Sequence, residues 1–166
     1  MTTVRPELAG DATAIYAVHA EAFGRGAEGD LVDALRGGPW WHPELSLVAE
    51  RGGEIVGHVL LTDVELAGRP VLALGPIGVL PAHQRDGVGS ALMAAGLAAA
   101  ARTDRGLITL LGNPAYYGRF GFTPCTEHGI VDIWAAPPGT FQVLRLPAYT
   151  PDLVGTPVFP ALWSAF

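Results

Sequence analysis

A chain of 166 residues, 49% of them hydrophobic and only 16% charged, is long enough for one continuous core and too apolar for disorder. Its net charge of −6 excludes a nonspecific nucleic-acid surface, and because all 10 basic residues are arginine, a lysine Schiff base and a Walker-type phosphate loop are excluded too. The longest apolar stretch, Val88–Ala101, is shorter than the roughly 20 residues of a membrane span. No membrane partner is therefore expected, and no basic flank with an apolar core marks a secretory signal. Cys125 has no second cysteine to pair with, which fits a reducing, cytoplasmic setting. One domain over 1–166 is expected.

In chain order, Thr2–Pro6 reads as a first strand. Ala14, Ile15, Val18 and Ala22 recur at helical spacing behind Asp11, a good N-cap. Leu31, Val32 and Leu35 give a shorter helix behind Asp30, ended by Gly37-Gly38-Pro39. The charged linker Gly24–Gly29 between them is expected to be a flexible lip of a substrate site, with Trp40-Trp41-His42-Pro43 beneath it. Leu45–Glu50 and Glu54–Glu65 around Arg51-Gly52-Gly53 predict a β-hairpin. Val71–Leu80 is the next strand. Pro76 cannot donate to a ladder, so this strand should part from a neighbour near its middle and leave backbone groups free for an extended ligand.

Gly87–Ala101 is the central helix, with Val88, Leu92, Ala95 and Ala99 as its packing face. Leu107–Leu111 is a strand, and Pro114–Phe120 a short helix with proline in its first turn. Strands are expected at Val131–Trp134 and Phe141–Leu146. In the tail, Phe159, Trp163 and Phe166 are expected to cap the core or a homodimer contact rather than to bind ligand. No internal repeat divides the chain. Charge is uneven: residues 1–65 carry eleven acids against four arginines, while residues 83–119 carry four arginines against two acids. An anionic ligand suits the second region and a cationic amine the first.

The run Gln84-Arg85-Asp86-Gly87-Val88-Gly89-Ser90 stands between a kinked strand and an alanine-rich helix. Its glycines let the backbone approach a ligand and turn N–H groups toward one point, where the helix dipole favours a phosphate or pyrophosphate. Read alone, Gly87 and Gly89 serve a ligand-free tight helix entry equally well. Beyond the next strand lies Asn113-Pro114-Ala115-Tyr116-Tyr117-Gly118-Arg119-Phe120-Gly121-Phe122. The arrangement resembles the GNAT superfamily of acetyl-CoA-dependent N-acetyltransferases. Gln84 through Gly89 is similar to its Gln/Arg-x-x-Gly-x-Gly/Ala signature, and Tyr117, Gly121 and Phe122 to its Tyr-x-x-x-Gly-Phe signature. The look-alikes are small bacterial single-domain members.

The resemblance implies a mixed α/β fold with a mostly antiparallel sheet, one splayed parallel pair, and helices on both faces. It implies acetyl-CoA as co-substrate and direct transfer to a primary amine of a small molecule or peptide, with no metal. Backbone N–H groups of Arg85, Asp86, Gly87, Val88, Gly89 and Ser90 would hold the pyrophosphate, with Gln84 opening the turn. Ile77, Gly78 and Val79 would pair with the pantetheine arm, and the Val79 N–H would polarise the thioester. Tyr117 would protonate the departing thiolate, while Asn113 would bond the pantetheine. Tyr117 could instead only pack, as Tyr116 is expected to do.

The general base is not written in the sequence: Val71–Leu80 carries no carboxylate, although many relatives have a glutamate there. Glu21, Glu28, Asp63 and His58 are the candidates, with ordered water as an alternative; His58, on a central strand, reads better as a satisfied core residue. The five histidines lack metal-ligand spacing. Cys125 has no nucleophile signature, and no Gly-x-Ser-x-Gly elbow is present. A dinucleotide fold fails for want of a third glycine and a following acid. A non-catalytic acyl-CoA-binding module on the same fold is a second reading, and a nucleotide in the glycine turn a third.

Overall fold

The computed structural model describes residues 1–165 of the chain. One seven-stranded sheet runs β1 (Thr3–Pro6), β2 (Ser46–Arg51), β3 (Glu54–Leu66), β4 (Arg69–Val79), β5 (Leu107–Leu111), β7 (Phe141–Arg145) and β6 (Thr123–Pro124) in spatial order. Every neighbouring pair is antiparallel except β4 and β5. Helices α1 (Ala12–Phe23) and α2 (Ala27–Leu35) cover one face, α3 (Val88–Ala101) covers the other, and α4 (Pro114–Tyr117) follows β5.

Period-two alternation separates the two cores. On β2, Val48 faces α1 and α2 with Ile15, Val32 and Leu35, while Leu47 and Ala49 face α3 with Leu92 and Met93. The buried stripe of α3 is Val88, Leu92, Met93, Gly96, Ala99 and Ala100; the expected Ala95 is only half-buried. Gly96 takes its place because a Cβ there would lie 3.3 Å from Leu61, so helix and sheet approach closely.

Three expectations need correction. α2 begins at Ala27, so Glu28 and Asp30 lie in its first turn and the linker shrinks to Gly24–Gly26. Asp11 precedes α1 but caps nothing; its carboxylate instead accepts from the Leu8 N–H and the Arg5 guanidinium, both at 2.7 Å. Val131–Trp134 is not a strand: Val131 and Ile133 are exposed, and only Ile130 forms an isolated bridge, with Gly155. The short β6 had no sequence signal. Phe166 lies outside the described residues.

The feature that shapes the site is the parting of β4 from β5. Their pairing is confined to Leu72 with Ile108 and Ala73 with Thr109. Just beyond, Gly75 and Pro76 together oppose the single Leu60 of β3, a bulge at the place where Pro76 predicts one.

Candidate active site

Past the bulge, Leu80 donates its N–H to the Val56 carbonyl at 2.9 Å, which sets the direction of every amide in this half of β4. Alternation then turns Gly78 toward β3 as well, and turns the N–H groups of Ile77 and Val79 to the open side left by β5. Gly78 contributes differently from its expected role: its backbone is spent on β3, and its missing side chain admits His19, whose Nδ1 would lie 2.8 Å from a Cβ there. The Val79 carbonyl accepts from the Gln84 side chain at 3.0 Å, tying the glycine turn to the strand end.

In that turn Arg85 has φ 59° and Gly87 φ 82°, a left-handed pair that swings the chain into α3. The first bond of α3 runs from the Ala91 N–H to the Gly87 carbonyl at 3.0 Å. The N–H groups of Val88, Gly89 and Ser90 are therefore the orphan donors of a helix start. They open on a cleft of about 610 Å³ between β4 and α4. Ile77, Gly78, Val79, Gln84, Arg85, Gly87, Gly89 and Ser90 line it, so eight of the twelve expected ligand-binding residues share one surface.

The other four do not line it. The Asp86 carboxylate is exposed and pairs with Arg51, whose guanidinium also donates to the Asp86 carbonyl at 2.7 Å. The Val88 side chain is buried beneath the helix, leaving only its amide for a ligand. Asn113 is the N-cap of α4; its Oδ1 accepts from the Ala115 N–H at 2.9 Å, which leaves the amide nitrogen as its group for a ligand. Tyr117 faces a second cavity. Four further residues complete the cleft: Ala22, Phe23 and Tyr116, for which no ligand role is expected, and Arg119, one of the four arginines of the region suited to an anion. Arg119 stacks on Tyr116 with its guanidinium carbon 5.1 Å from the ring centre, placing a second cation across from Arg85. The expectation that Tyr116 only packs is thus corrected: it is a cleft wall, with its hydroxyl 3.1 Å from where a Cβ on Gly89 would stand.

The second cavity, of about 260 Å³, opens where β4 and β5 diverge. Tyr117, Gly75, Pro76 and Thr109 line it, and Phe23 and Ile77 belong to both walls, so the two spaces meet at the end of the β4 opening. The ring of Tyr117 packs directly against Gly112, whose hypothetical Cβ would be only 2.3 Å from Cε2. Burial pushes the Tyr117 hydroxyl up to about 12, with neighbouring Tyr116 adding to the shift, so the phenol stays protonated through the physiological range. Phe159 and Trp163 also line this cavity while packing on the α1–α2 core, so the tail does cap the core as expected but walls a ligand-sized space as well.

Of the four base candidates, Glu28 alone lines the cavity that Tyr117 lines; it is 2% exposed and bonded by Arg25. Glu21 is exposed on α1 and lines neither space. Asp63 is held elsewhere by Arg105 and His42, at 2.7 and 2.8 Å; burial works against its charge, yet these partners keep its carboxyl below the usual range. His58 is a fully buried core residue, as its place on a central strand predicts. The Ser46 hydroxyl donates to Glu7, so it must accept from His58 Nε2 at 2.9 Å, and His58 Nδ1 then accepts from His19 Nε2 at 2.8 Å. In that arrangement His58 is neutral, with its proton on Nε2. Burial lowers His58 well below the ordinary histidine value and His19 to about 4.

The sequence model of the acetyltransferase (GNAT) family matches residues 12–122, the stretch that carries the strand bulge, the open edge of amides and the start of α3. The chain belongs to that family, and it is an acetyltransferase. It is 37% identical over 119 residues to the N-acetyltransferase YjhQ of Escherichia coli, covering 69% of this chain and 66% of that protein. It is 30% identical over 146 residues to the N-acetyltransferase YhbS of the same organism, covering 86% of each. The crystal structure of E. coli YhbS with CoA superposes with TM-score 0.89 over 98% of this chain and 92% of that one, at 26% identity. A Brucella melitensis GNAT acetyltransferase solved with acetyl-CoA gives TM-score 0.79 over 98% of both chains, at 32% identity. Among the described residues, no group of three or more His, Cys, Asp or Glu could hold a metal, and no helix is long and apolar enough to cross a membrane.

Proposed function

We propose that the chain, as one catalytic domain over 1–166, moves the acetyl group of acetyl-CoA to a primary amine of a small molecule or peptide, directly and within a ternary complex. The observation that carries this reading is continuity: orphan amides at the start of α3 and the open-side amides of β4 lead, through Ile77, to the cavity of Tyr117. A diphosphate suits the donors of Gly87 through Ser90, where Arg85 and Arg119 add charge. The pantetheine arm extends β4 by pairing with Ile77 and Val79, as an added strand would. The Val79 N–H donates to the thioester oxygen as negative charge develops there.

In the reaction the amine lone pair attacks the thioester carbon, the C–N bond forms, and the C–S bond breaks with its electron pair on sulfur. Tyr117 gives its phenolic proton to that sulfur, and the proton that the acylated nitrogen must lose returns through water to the phenolate, so the enzyme ends as it began. From a phenol near 12 to a thiolate of about 8.5 in water, the transfer would be uphill by about 5 kcal/mol. The site that desolvates the phenol desolvates the thiolate too, which raises its basicity and narrows the gap. No covalent intermediate is needed. Likeness to YhbS and the Brucella enzyme, crystallised with CoA and acetyl-CoA, supports the choice of donor.

The test is thiol release from acetyl-CoA over a panel of amines, with wild type and Tyr117→Phe. Turnover of the variant should fall by roughly 10²-fold or more, while acetyl-CoA affinity stays within about threefold. Unchanged turnover removes the acid role of Tyr117. Tight acetyl-CoA binding with no thiol released by any amine refutes transfer to amines.

A further inference from the structure

We infer that the cavity beside Tyr117 is the acceptor site, that it takes a small primary amine carried on an uncharged aromatic body, and that Glu28 holds the ammonium and takes its proton. This rests on the proposed acetyl transfer and names its substrate class. Size sets the first limit: at roughly 30 Å³ per water-sized group, about 260 Å³ accommodates roughly nine non-hydrogen atoms. A phenyl ring with a two-carbon amine arm is of that size and a peptide is not; a polyamine is nearer in size, but the one carboxylate of the lining pairs with only one of its ammonium groups.

The wall sets the second limit. Phe23, Trp134, Phe141, Phe159 and Trp163 surround the space, and four of them brace one another edge to face. Ring centres lie 5.1 Å apart for Trp134 and Phe159, 5.3 Å for Phe159 and Trp163, and 6.3 Å for Trp134 and Phe141. Such a set is stiff, and it matches a flat apolar group through offset and edge contacts. Aromatic faces also tolerate a cation.

Charge sets the third. Glu28 is the one ionisable acid or base in the lining apart from the phenol of Tyr117; no arginine or histidine joins it. An acceptor bearing a carboxylate, such as a free amino acid, would bury that anion with no cation to meet it, beside a carboxylate that repels it. An ammonium meets the reverse. Arg25 holds both Glu28 oxygens through its Nε, at 3.0 and 3.2 Å, from a side chain that is itself 59% exposed. One guanidinium fork leaves the remaining lone pairs of the carboxylate open to an ammonium on the buried side. One ammonium proton passes to the Glu28 carboxylate, freeing the nitrogen lone pair for the thioester carbon.

The experiment measures acetyl-CoA-dependent thiol release with 2-phenylethylamine, phenylalanine, spermidine and a tetrapeptide with a free N-terminus. In parallel, quenching of tryptophan fluorescence by 2-phenylethylamine reads occupancy, because Trp134 and Trp163 are both in the wall. Phenylethylamine should exceed the other three in kcat/KM by tenfold or more. Glu28→Gln should lower its kcat/KM by about 100-fold and steepen its dependence on rising pH, because only amine already neutral in solution can then react. Phe159→Ala, which leaves the carboxylate in place, should raise KM more than it lowers kcat, and keeps the cavity testable if Glu28→Gln does not fold. Preference for phenylalanine, spermidine or the peptide overturns the acceptor class while leaving acetyl transfer standing. Wild-type rates in folded Glu28→Gln overturn the role of the carboxylate. Thiol release with no amine at all overturns the transfer reading and this inference together.

Discussion

Gly112→Ala is expected to disable catalysis without touching the cofactor cleft. An alanine Cβ at this position would stand 2.3 Å from Tyr117 Cε2, 2.9 Å from Cδ2 and 3.3 Å from Cζ. Carbon atoms rest at about 3.5–4.0 Å, so the ring must retreat by about 1 Å or more. Gly112 has little freedom to yield, since its N–H bonds the Thr140 carbonyl at 2.9 Å and its carbonyl accepts from the Gln142 amide at 3.0 Å. Displacing a reacting group by about 1 Å costs on the order of 10²-fold in rate, and the overpacking costs about 1–3 kcal/mol of stability. The assay pairs kcat, measured with the best amine of the panel, with calorimetric affinity for acetyl-CoA. A fall of about 100-fold in kcat at nearly constant affinity is expected. A stable variant with wild-type kcat would show that the seat of Tyr117 over β5 does not matter to the chemistry.

Gly89→Leu places a branched side chain at the mouth of the cleft, where even its Cβ would meet the Tyr116 hydroxyl at 3.1 Å. Calorimetry should show acetyl-CoA affinity reduced by at least tenfold, and an unchanged isotherm would discredit the phosphate turn. The buried histidines predict acid sensitivity of a definite sign. His19 is lowered to about 4 in the fold, so its contribution is complete above the unfolded value near 6.5 and is lost as pH falls between them. By pH 5 this amounts to about 2 kcal/mol, or roughly 4–8 °C in Tm, with His58 adding in the same direction. A Tm constant from pH 7 to pH 5 would contradict the neutral pair. For Tyr117 the sign is opposite in consequence: with its hydroxyl near 12, the proton donor persists at high pH. The kcat–pH profile should therefore show no loss up to about pH 10.5 that the Phe variant lacks.

Much of this site could be read from the chain because its parts are backbone devices. Pro76 and the glycines of the turn announce where a strand must open and where amides must converge, and the largely apolar run Leu107–Leu111 coincides with β5 at both ends. Glycine also misled. Gly26 and Gly29 read as a linker, yet they are small so that Tyr16 can lie across the α1–α2 junction; a Cβ would meet its ring at 2.6 Å on Gly29 and its hydroxyl at 2.5 Å on Gly26. That misreading hid the start of α2 and with it the burial of Glu28. The tail gave no sign of its part in the cavity, because Phe159 and Trp163 have no periodicity to say which surface they meet. Tyr116 and Arg119 flank a recognisable tyrosine, and only the turn of α4 decides which side chain faces which space.

The most direct measurement is a crystal structure of the protein with CoA. Its diphosphate is predicted within hydrogen-bond distance of the backbone N–H groups of Val88, Gly89 and Ser90, with the sulfur within reach of the Tyr117 hydroxyl. A diphosphate bound away from the start of α3, or a sulfur on the far side of β4 from that phenol, would contradict the assignment.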